Sequence, residues 1–135
     1  MIIQKEISLP HFPRGFHLIT DIIRQALKFP ESGILHLFIK HTSAGLTINE
    51  NYDPTVLKDF ETSFNILAPE NMNYYTHIIE GSDDMPAHIK ATLTGSSVSI
   101  PITDSKLNIG IWQGIYLCEF RDRGRERKIV ATIYY

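Results

Sequence analysis

The sequence has one cysteine, Cys118, and no apolar run that approaches the roughly 18 residues needed to cross a bilayer. A single cysteine cannot form an internal disulfide, which fits a reducing compartment. Residues 1–5, Met-Ile-Ile-Gln-Lys, also lack the basic and then apolar order of a secretory signal. We therefore expect a cytoplasmic protein without a membrane partner.

An excess of charge of either sign is also missing. Thirteen Lys and Arg residues stand against 15 Asp and Glu residues, which gives a formal net charge of −2. A chain with this balance has no overall field that attracts nucleic acid or anionic lipid, so a small molecule is the expected ligand. At 135 residues the chain suits one core and is too short for two ordinary domains. We expect a single domain over residues 1–135.

Hydrophobic periodicity predicts strands interspersed with helices. Helical spacing follows Thr20 and Asp21, and it follows the strong helix start Asp53-Pro54. The predicted strands span residues 2–9, 34–40, 98–100, 109–121 and 128–135, and the predicted helices span residues 22–29, 54–67 and 85–93. The charged turn at 122–126 predicts a hairpin between the last two strands. The expected fold is α+β, a mainly antiparallel β-sandwich with two or three inserted helices.

Residues 41–54, which follow the predicted strand 34–40, hold polar groups too densely for a simple connection. Strand parity places His41 on the same side as three core residues of that strand. The hydroxyl groups of Thr42 and Ser43 can bind anionic oxygens. We interpret this stretch as one wall of a functional site.

Residues 80–88, Glu-Gly-Ser-Asp-Asp-Met-Pro-Ala-His, form the candidate opposite wall. The carboxylates of Glu80, Asp83 and Asp84 repel one another unless a cation or basic side chains intervene. Their density favours Mg²⁺ or another hard cation. The alternative for one of the two aspartates is a simple helix cap. Asp84 can also pair with His88, four residues later, and orient its ring.

Six histidines are present, but no two have the i, i+4 spacing of a helical zinc site. Context favours three of them: His41 ends a strand, His77 precedes the acidic loop and His88 lies in the first turn of a helix. Imidazoles from separate segments can form a site with an open position, as a catalytic zinc requires. The alternative for each is an ordinary hydrogen bond to a backbone carbonyl. That structural role is our interpretation of His11, His17 and His36.

Positive charge is concentrated after the predicted strand 109–121. Arginines occupy positions 121, 123, 125 and 127, and Lys128 follows them. We expect most of this charge on a solvated hairpin turn, with Arg121 as the phosphate contact. Gln113 and Glu119 of the same interior strand need partners, because an unpaired buried polar group costs about 1–3 kcal/mol. Cys118, on the face of the strand that also carries Trp112, is expected in the core.

Three segments carry a resemblance to a known family: residues 41–54, residues 80–90 and Gly110-Ile-Trp-Gln-Gly-Ile-Tyr116. Together they resemble the YjbQ family, also called the secondary thiamine-phosphate synthase family, over nearly the whole chain. The resemblance implies an α+β, sandwich-like subunit, a homotrimer and a histidine-rich metal pocket near the motif residues. The sequence departs from the family pattern at Ser105-Lys106, where Gly-Arg is commoner.

The resemblance also implies an activity, in which a pyrimidine methyl diphosphate is joined to a thiazole phosphate with loss of pyrophosphate. A divalent metal, zinc or magnesium, would bind the motif histidines His41, His77 and His88. The expected catalytic residues are the carboxylates that would stabilise a cationic pyrimidine fragment, Glu80, Asp83 and Asp84. The expected substrate-binding residues are Thr42, Ser43, Asn49, Glu50, Gln113 and Arg121.

These residues are compatible with three functions. The first is a metal-dependent enzyme that acts on a phosphorylated small molecule. The second is a non-catalytic trimeric module that binds a metal or an anionic metabolite. In the third, the polar segments are architectural and stabilise a trimer interface. Only the enzyme needs an open metal position that faces a cleft large enough for a substrate.

Overall fold

The computed structural model describes all of residues 1–135 and contains eight strands and three helices. The strands are β1 (Ile2–Ser8), β2 (Gly15–Leu18), β3 (Ser32–Ile39), β4 (Ala44–Glu50), β5 (Ser97–Thr103), β6 (Lys106–Leu107), β7 (Gln113–Glu119) and β8 (Lys128–Tyr134). The helices are α1 (Thr20–Ala26), α2 (Pro54–Leu67) and α3 (Asp84–Thr94). All three predicted helices are present, and none is long and apolar enough to cross a membrane.

The strands form two antiparallel sheets around one main core. The larger sheet has the order β1-β8-β3-β5-β6, and the smaller has the order β2-β7-β4. Alternate side chains of β3, such as Leu35 and Leu37, are buried in one cluster with Ile115 and Leu117 of β7. This alternation is typical of strands with one face toward a core. The predicted single-domain α+β fold with antiparallel sheets is confirmed.

Helices α2 and α3 cover the second face of the smaller sheet. A smaller buried cluster lies there, in which Phe16 and Phe120 pack against Phe64 of α2. Cys118 belongs to this cluster, and burial raises the pKa of its thiol. A thiol in this environment behaves as a small apolar residue. Strand β7 is therefore buried on both faces, as predicted for an interior strand.

The predicted hairpin between residues 109–121 and 128–135 is wrong. Strand β7 pairs with β2 and β4, whereas β8 lies between β1 and β3 in the other sheet. Residues 120–127 therefore cross from one sheet to the other. In this position β8 buries Ile129 and Ile133 in the main core and pairs with a strand on each side. A two-stranded hairpin with β7 would give β8 neither this burial nor a strand partner on each side.

The predicted strand 109–121 also begins too early. The backbone turns before Gln113, whose side-chain oxygen accepts a hydrogen bond from the Gly110 N–H at 2.7 Å. Trp112 lies in this turn with half of its surface exposed, so it does not share the buried face of β7 with Cys118. The sequence does not predict β2, which has only four residues, or β4, which lies within the polar stretch 41–54.

Asp53 caps α2, as the sequence predicts. Its Oδ1 accepts hydrogen bonds from the hydroxyl and the backbone N–H of Thr55, at 2.7 and 2.9 Å, and these bonds lower the pKa of the Asp53 carboxyl. Asp53→Ala is expected to lower the Tm by about 3–6 °C, because the first turn loses its acceptor. Thermal unfolding followed by circular dichroism measures the effect. Asp59→Ala removes an exposed acid from the same helix, and an equal fall there would contradict the capping role.

Candidate metal centre

Three potential metal ligands meet at the start of α3. Their ligand atoms, from His77, Asp84 and His88, all lie within 4.8 Å of one another. Asp84 and His88 are one helical turn apart on α3, and His77 comes from the segment that precedes it. Asp84 Oδ2 lies 2.6 Å from His77 Nε2 and 3.0 Å from His88 Nε2. The predicted pairing of Asp84 with His88 is present, and we call the three residues the triad.

The polar stretch 41–54 reaches the triad through its backbone. His88 Nδ1 lies 2.9 Å from the carbonyl oxygen of Thr42. A carbonyl only accepts hydrogen bonds, so Nδ1 must carry the proton and donate it. Nε2 of His88 then faces the carboxylate of Asp84 and is the nitrogen that can bind a metal. A ligand histidine held by a backbone carbonyl through its other nitrogen is the usual arrangement in metal sites.

Arg121 binds both aspartates of the acidic loop. Its Nη1 donates to Asp84, and its Nε donates to Asp83 Oδ2 at 2.9 Å. Burial raises the pKa of both carboxyls. For Asp84, the hydrogen bond from His77 and the charge of Arg121 lower the pKa and together outweigh the effect of burial. For Asp83, the hydrogen bonds from the Asp122 N–H and from Arg121 outweigh it in the same way. Both aspartates therefore have a net pKa below the usual value. Asp83 occupies the N-cap position of α3 but makes no capping hydrogen bond.

The donor set decides which metals fit the triad. Two imidazole nitrogens and one carboxylate oxygen are typical ligands of zinc and similar transition metals. Magnesium prefers oxygen ligands and keeps several waters. Asp84 is 1% exposed, so its carboxylate is held in place by its neighbours. Two carboxylates of the acidic cluster, Asp83 and Asp84, are already paired with Arg121, and the ligand types of the triad are those typical of zinc rather than of magnesium.

His41 lies outside the triad in this chain. Its Nε2 accepts a hydrogen bond from the backbone N–H of Lys128 at 2.8 Å. Burial and the charge of Arg127 lower the pKa of His41, which favours the neutral ring that accepts this bond. Its role as a metal ligand stays a prediction. Of the other histidines, His17 contacts the Pro13 carbonyl at 2.6 Å and His36 contacts the Ser99 hydroxyl at 2.9 Å.

A cavity of about 580 Å³ is connected to the triad through Arg121, and no triad residue lines it. It is lined by polar and charged residues: His41, Ser43, Glu80, Arg121, Arg123, Gly124, Arg125, Glu126 and Arg127. Arg121 links the two features, because it contacts Asp84 of the triad and also donates from Nη2 to the Glu80 carbonyl at 2.9 Å. The two predicted walls therefore meet, and the structure brings four predicted site residues to this cavity. We call it the arginine cavity.

Three predicted substrate-binding residues lie elsewhere. Asn49 and Glu50 are at the far end of β4, where Glu50 is opposite Gln113 of β7. The end of β4 next to the arginine cavity is about six residues away, or roughly 20 Å along the strand. The Asn49 side chain accepts from the Glu50 N–H at 2.8 Å, and Gln113 lines a separate cavity of about 410 Å³. Within one chain these residues do not join the triad.

Arg127 is buried, which the sequence pattern does not predict. The sequence predicts this side chain on a solvated turn, but it is 7% exposed and makes two hydrogen bonds to Glu119, at 2.8 and 2.6 Å. Arg127 Nη2 also donates to the Ser43 hydroxyl at 3.1 Å. The signal was available, because Glu119 on an interior strand requires a basic partner.

Comparisons with known proteins agree with the fold and the motifs. A family model described as UPF0047 protein YjbQ-like matches residues 5–135. The UPF0047 protein YjbQ of Salmonella typhimurium is 50% identical over 133 residues, which cover 96% of this chain and 96% of that protein. The UPF0047 protein YjbQ of Escherichia coli O157:H7 is 47% identical over 133 residues, with 96% of each chain covered.

Two solved structures have the same fold. A conserved hypothetical protein of Thermus thermophilus has a TM-score of 0.83 and 35% identity, with 93% of this chain and 97% of that chain covered. An uncharacterized conserved protein of Clostridium acetobutylicum has a TM-score of 0.80 and 37% identity, with 98% and 99% covered. The match extends over nearly the whole length of each protein. This chain belongs to the YjbQ-like UPF0047 family.

Proposed function

We propose that this protein is a metal-dependent enzyme that acts on a phosphorylated small molecule, as a transferase of the thiamine-phosphate synthase type. One observation carries the proposal: Arg121 lines the arginine cavity and also contacts Asp84 of the triad. Metal ligands near a cleft lined by arginines are typical of enzymes that bind phosphorylated substrates. The volume of about 580 Å³ lies within the range of small-molecule sites.

The reaction implied by the family resemblance assigns a role to each part of this site. The thiazole nitrogen donates its electron pair to the methylene carbon of the pyrimidine, and the bond from that carbon to the diphosphate oxygen breaks. The electron pair of the broken bond leaves with pyrophosphate. Arg121, which already donates to Asp83 and Asp84, can add positive charge near the leaving group. Glu80 lines the cavity and can stabilise positive charge on the pyrimidine. A metal on the triad would add positive charge beside the leaving group.

The proposed metal is zinc, and the proposed assembly is a cytoplasmic homotrimer. The assembly is part of the family resemblance, and exposed apolar side chains offer surface for it, since Ile79 is 95% exposed and Ile111 is 82% exposed. A trimer would also bring residues of neighbouring chains together. Asn49, Glu50 and Gln113 could then complete the site of another subunit.

The test is turnover by protein purified without chelator or a nickel column. Metal content is measured by mass spectrometry, and pyrophosphate release is measured with the pyrimidine methyl diphosphate and the thiazole phosphate. His88→Ala is expected to lower turnover by about 100-fold or more, because the metal loses one ligand. His11→Ala is the matched control, since His11 is exposed and makes no side-chain hydrogen bond.

Complementation of a thiamine-requiring strain provides the outcome that decides between the functions. Loss of growth with His88→Ala, together with normal growth with His11→Ala, supports the enzyme. Metal binding without turnover of any candidate diphosphate would favour the non-catalytic binding module. Dissociation of the oligomer by His88→Ala, with no effect on bound metal, would favour the architectural function.

A further inference from the structure

We propose that Arg123 and Arg125 form a subsite for the diphosphate of the ligand. The reaction of this diphosphate rests on the proposed function. The binding of a diphosphate by the two arginines does not depend on that function. Both residues line the arginine cavity. Arg121 and Arg127, in the same segment, are bound to carboxylates, whereas Arg123 and Arg125 have no acidic group within ion-pair distance and donate no side-chain hydrogen bond. They are the two free cations of this cavity.

The segment that carries them is held at both ends. Arg121 is fixed by Asp83 and Asp84, and the Asp122 N–H donates to Asp83 Oδ2 at 2.9 Å. At the other end Arg127 is buried against Glu119. Such anchoring lowers the entropy lost when a ligand binds, because the backbone does not have to be ordered. Arg123 and Arg125 therefore lie on a loop whose backbone is already ordered before a ligand binds.

Gly124 allows this loop to lie against the buried ion pair. A Cβ atom at position 124 would overlap the Glu119 carboxylate, which Arg127 holds in place. The close approach leaves the side chains on either side of Gly124 facing the arginine cavity. Two guanidinium groups separated by one residue can each form a bidentate contact with a phosphoryl group. A diphosphate presents two such groups.

The charges that line the cavity further limit the class of ligand that can bind there. Its lining has four arginines and two glutamates, Glu80 and Glu126, and neither glutamate is in an ion pair. Two of the arginines, Arg121 and Arg127, are already paired with carboxylates. The cavity lining therefore has two unpaired cations, Arg123 and Arg125, and two unpaired carboxylates, Glu80 and Glu126. Such a surface repels part of a long polyanion such as nucleic acid. It suits a small molecule with a diphosphate at one end and a protonatable amine elsewhere.

The experiment measures the binding of inorganic pyrophosphate to the full chain by calorimetry, with zinc-loaded and with metal-free protein. The double variant R123Q/R125Q is expected to bind pyrophosphate at least about tenfold more weakly in both forms, because two charge-assisted contacts are lost. K28Q/K58Q is the matched control. It removes two exposed lysines outside the cavity and is expected to bind within about twofold of the unchanged chain.

A change of opposite sign is expected for Glu126→Gln. Removal of a carboxylate from the lining should strengthen pyrophosphate binding by about two- to fivefold, because a repelling charge is lost. Orthophosphate should bind at least about tenfold more weakly than pyrophosphate, since it offers one phosphoryl group to two arginines. Equal affinities for the two anions would overturn the assignment of a diphosphate. Equal losses in R123Q/R125Q and K28Q/K58Q would overturn the site.

Metal content separates this inference from the proposed function. R123Q/R125Q is expected to keep its zinc and its Tm, because both side chains are exposed, lie outside the triad and make no hydrogen bond or ion pair. Zinc binding with no arginine-dependent pyrophosphate binding overturns the subsite and leaves the metal centre. Arginine-dependent pyrophosphate binding in a chain that binds no zinc supports the subsite and overturns the metal-dependent enzyme.

Discussion

Glu119→Gln is expected to lower the free energy of unfolding by about 3–5 kcal/mol. Residue Arg127 is 6% exposed, and its guanidinium makes two short hydrogen bonds to the carboxylate of Glu119, a residue that is 1% exposed. A neutral amide would leave a buried cation without its counter-charge. The pair also spans the crossing from β7 to β8, so the loss should weaken the junction between the sheets. The Tm is expected to fall by about 10 °C or more.

Chemical denaturation gives the free energy, and a double-mutant cycle shows whether it comes from the pair. Glu119→Leu with Arg127→Leu removes both charges and should be less destabilising than the sum of the single changes. The control is Asp21→Asn, which breaks the exposed pair between Asp21 and Arg24. That change should shift the Tm by less than about 2 °C. Additive effects of the two leucine changes would show that the ion pair is not the cause.

The sequence predicts the elements of this fold better than it predicts their partners. The caps and apolar spacing of α2 are local, so Asp53 and Pro54 were enough to predict where it begins. The partners of β8 depend on contacts far apart in sequence, because β1 and β3 both lie in the first third of the chain and β8 lies at residues 128–134. The charged residues 122–126 resemble a hairpin turn. Nothing local shows that they cross between sheets.

The histidines illustrate the same limit at the site. Parity along β3 placed His41 with the core residues, but the strand ends at Ile39 and the direction of later side chains no longer follows its alternation. His77, which lies in a segment without regular structure, contacts Asp84 instead. Only the pairing of Asp84 with His88 has a geometry that the sequence predicts, because one helical turn brings them to the same face. The Thr42 carbonyl that orients His88 has no sequence signature at all.

His88→Ala and Asp84→Asn are each expected to weaken zinc binding by about 100-fold or more, whereas His41→Ala should keep it. His88 loses its Nε2, and Asp84→Asn replaces a charged ligand with a neutral amide of the same shape. His41 contributes no ligand atom to the triad and instead accepts a hydrogen bond from the Lys128 N–H. Zinc affinity is measured by competition with a chelating dye, and stoichiometry by mass spectrometry.

The comparison between His41 and His88 is the most informative, because both are motif histidines and only one lies in the triad. Asp84→Asn also removes a partner from Arg121, so its Tm is measured in parallel, and His88→Ala supplies the metal result if the first variant unfolds. His36→Ala is the control for the general effect of losing an imidazole, because the His36 ring contacts the Ser99 hydroxyl and lies outside the triad. If His41→Ala loses zinc as fully as His88→Ala, the ligand set must extend beyond the triad. In that case a neighbouring subunit or a rearranged residue 41 completes the centre.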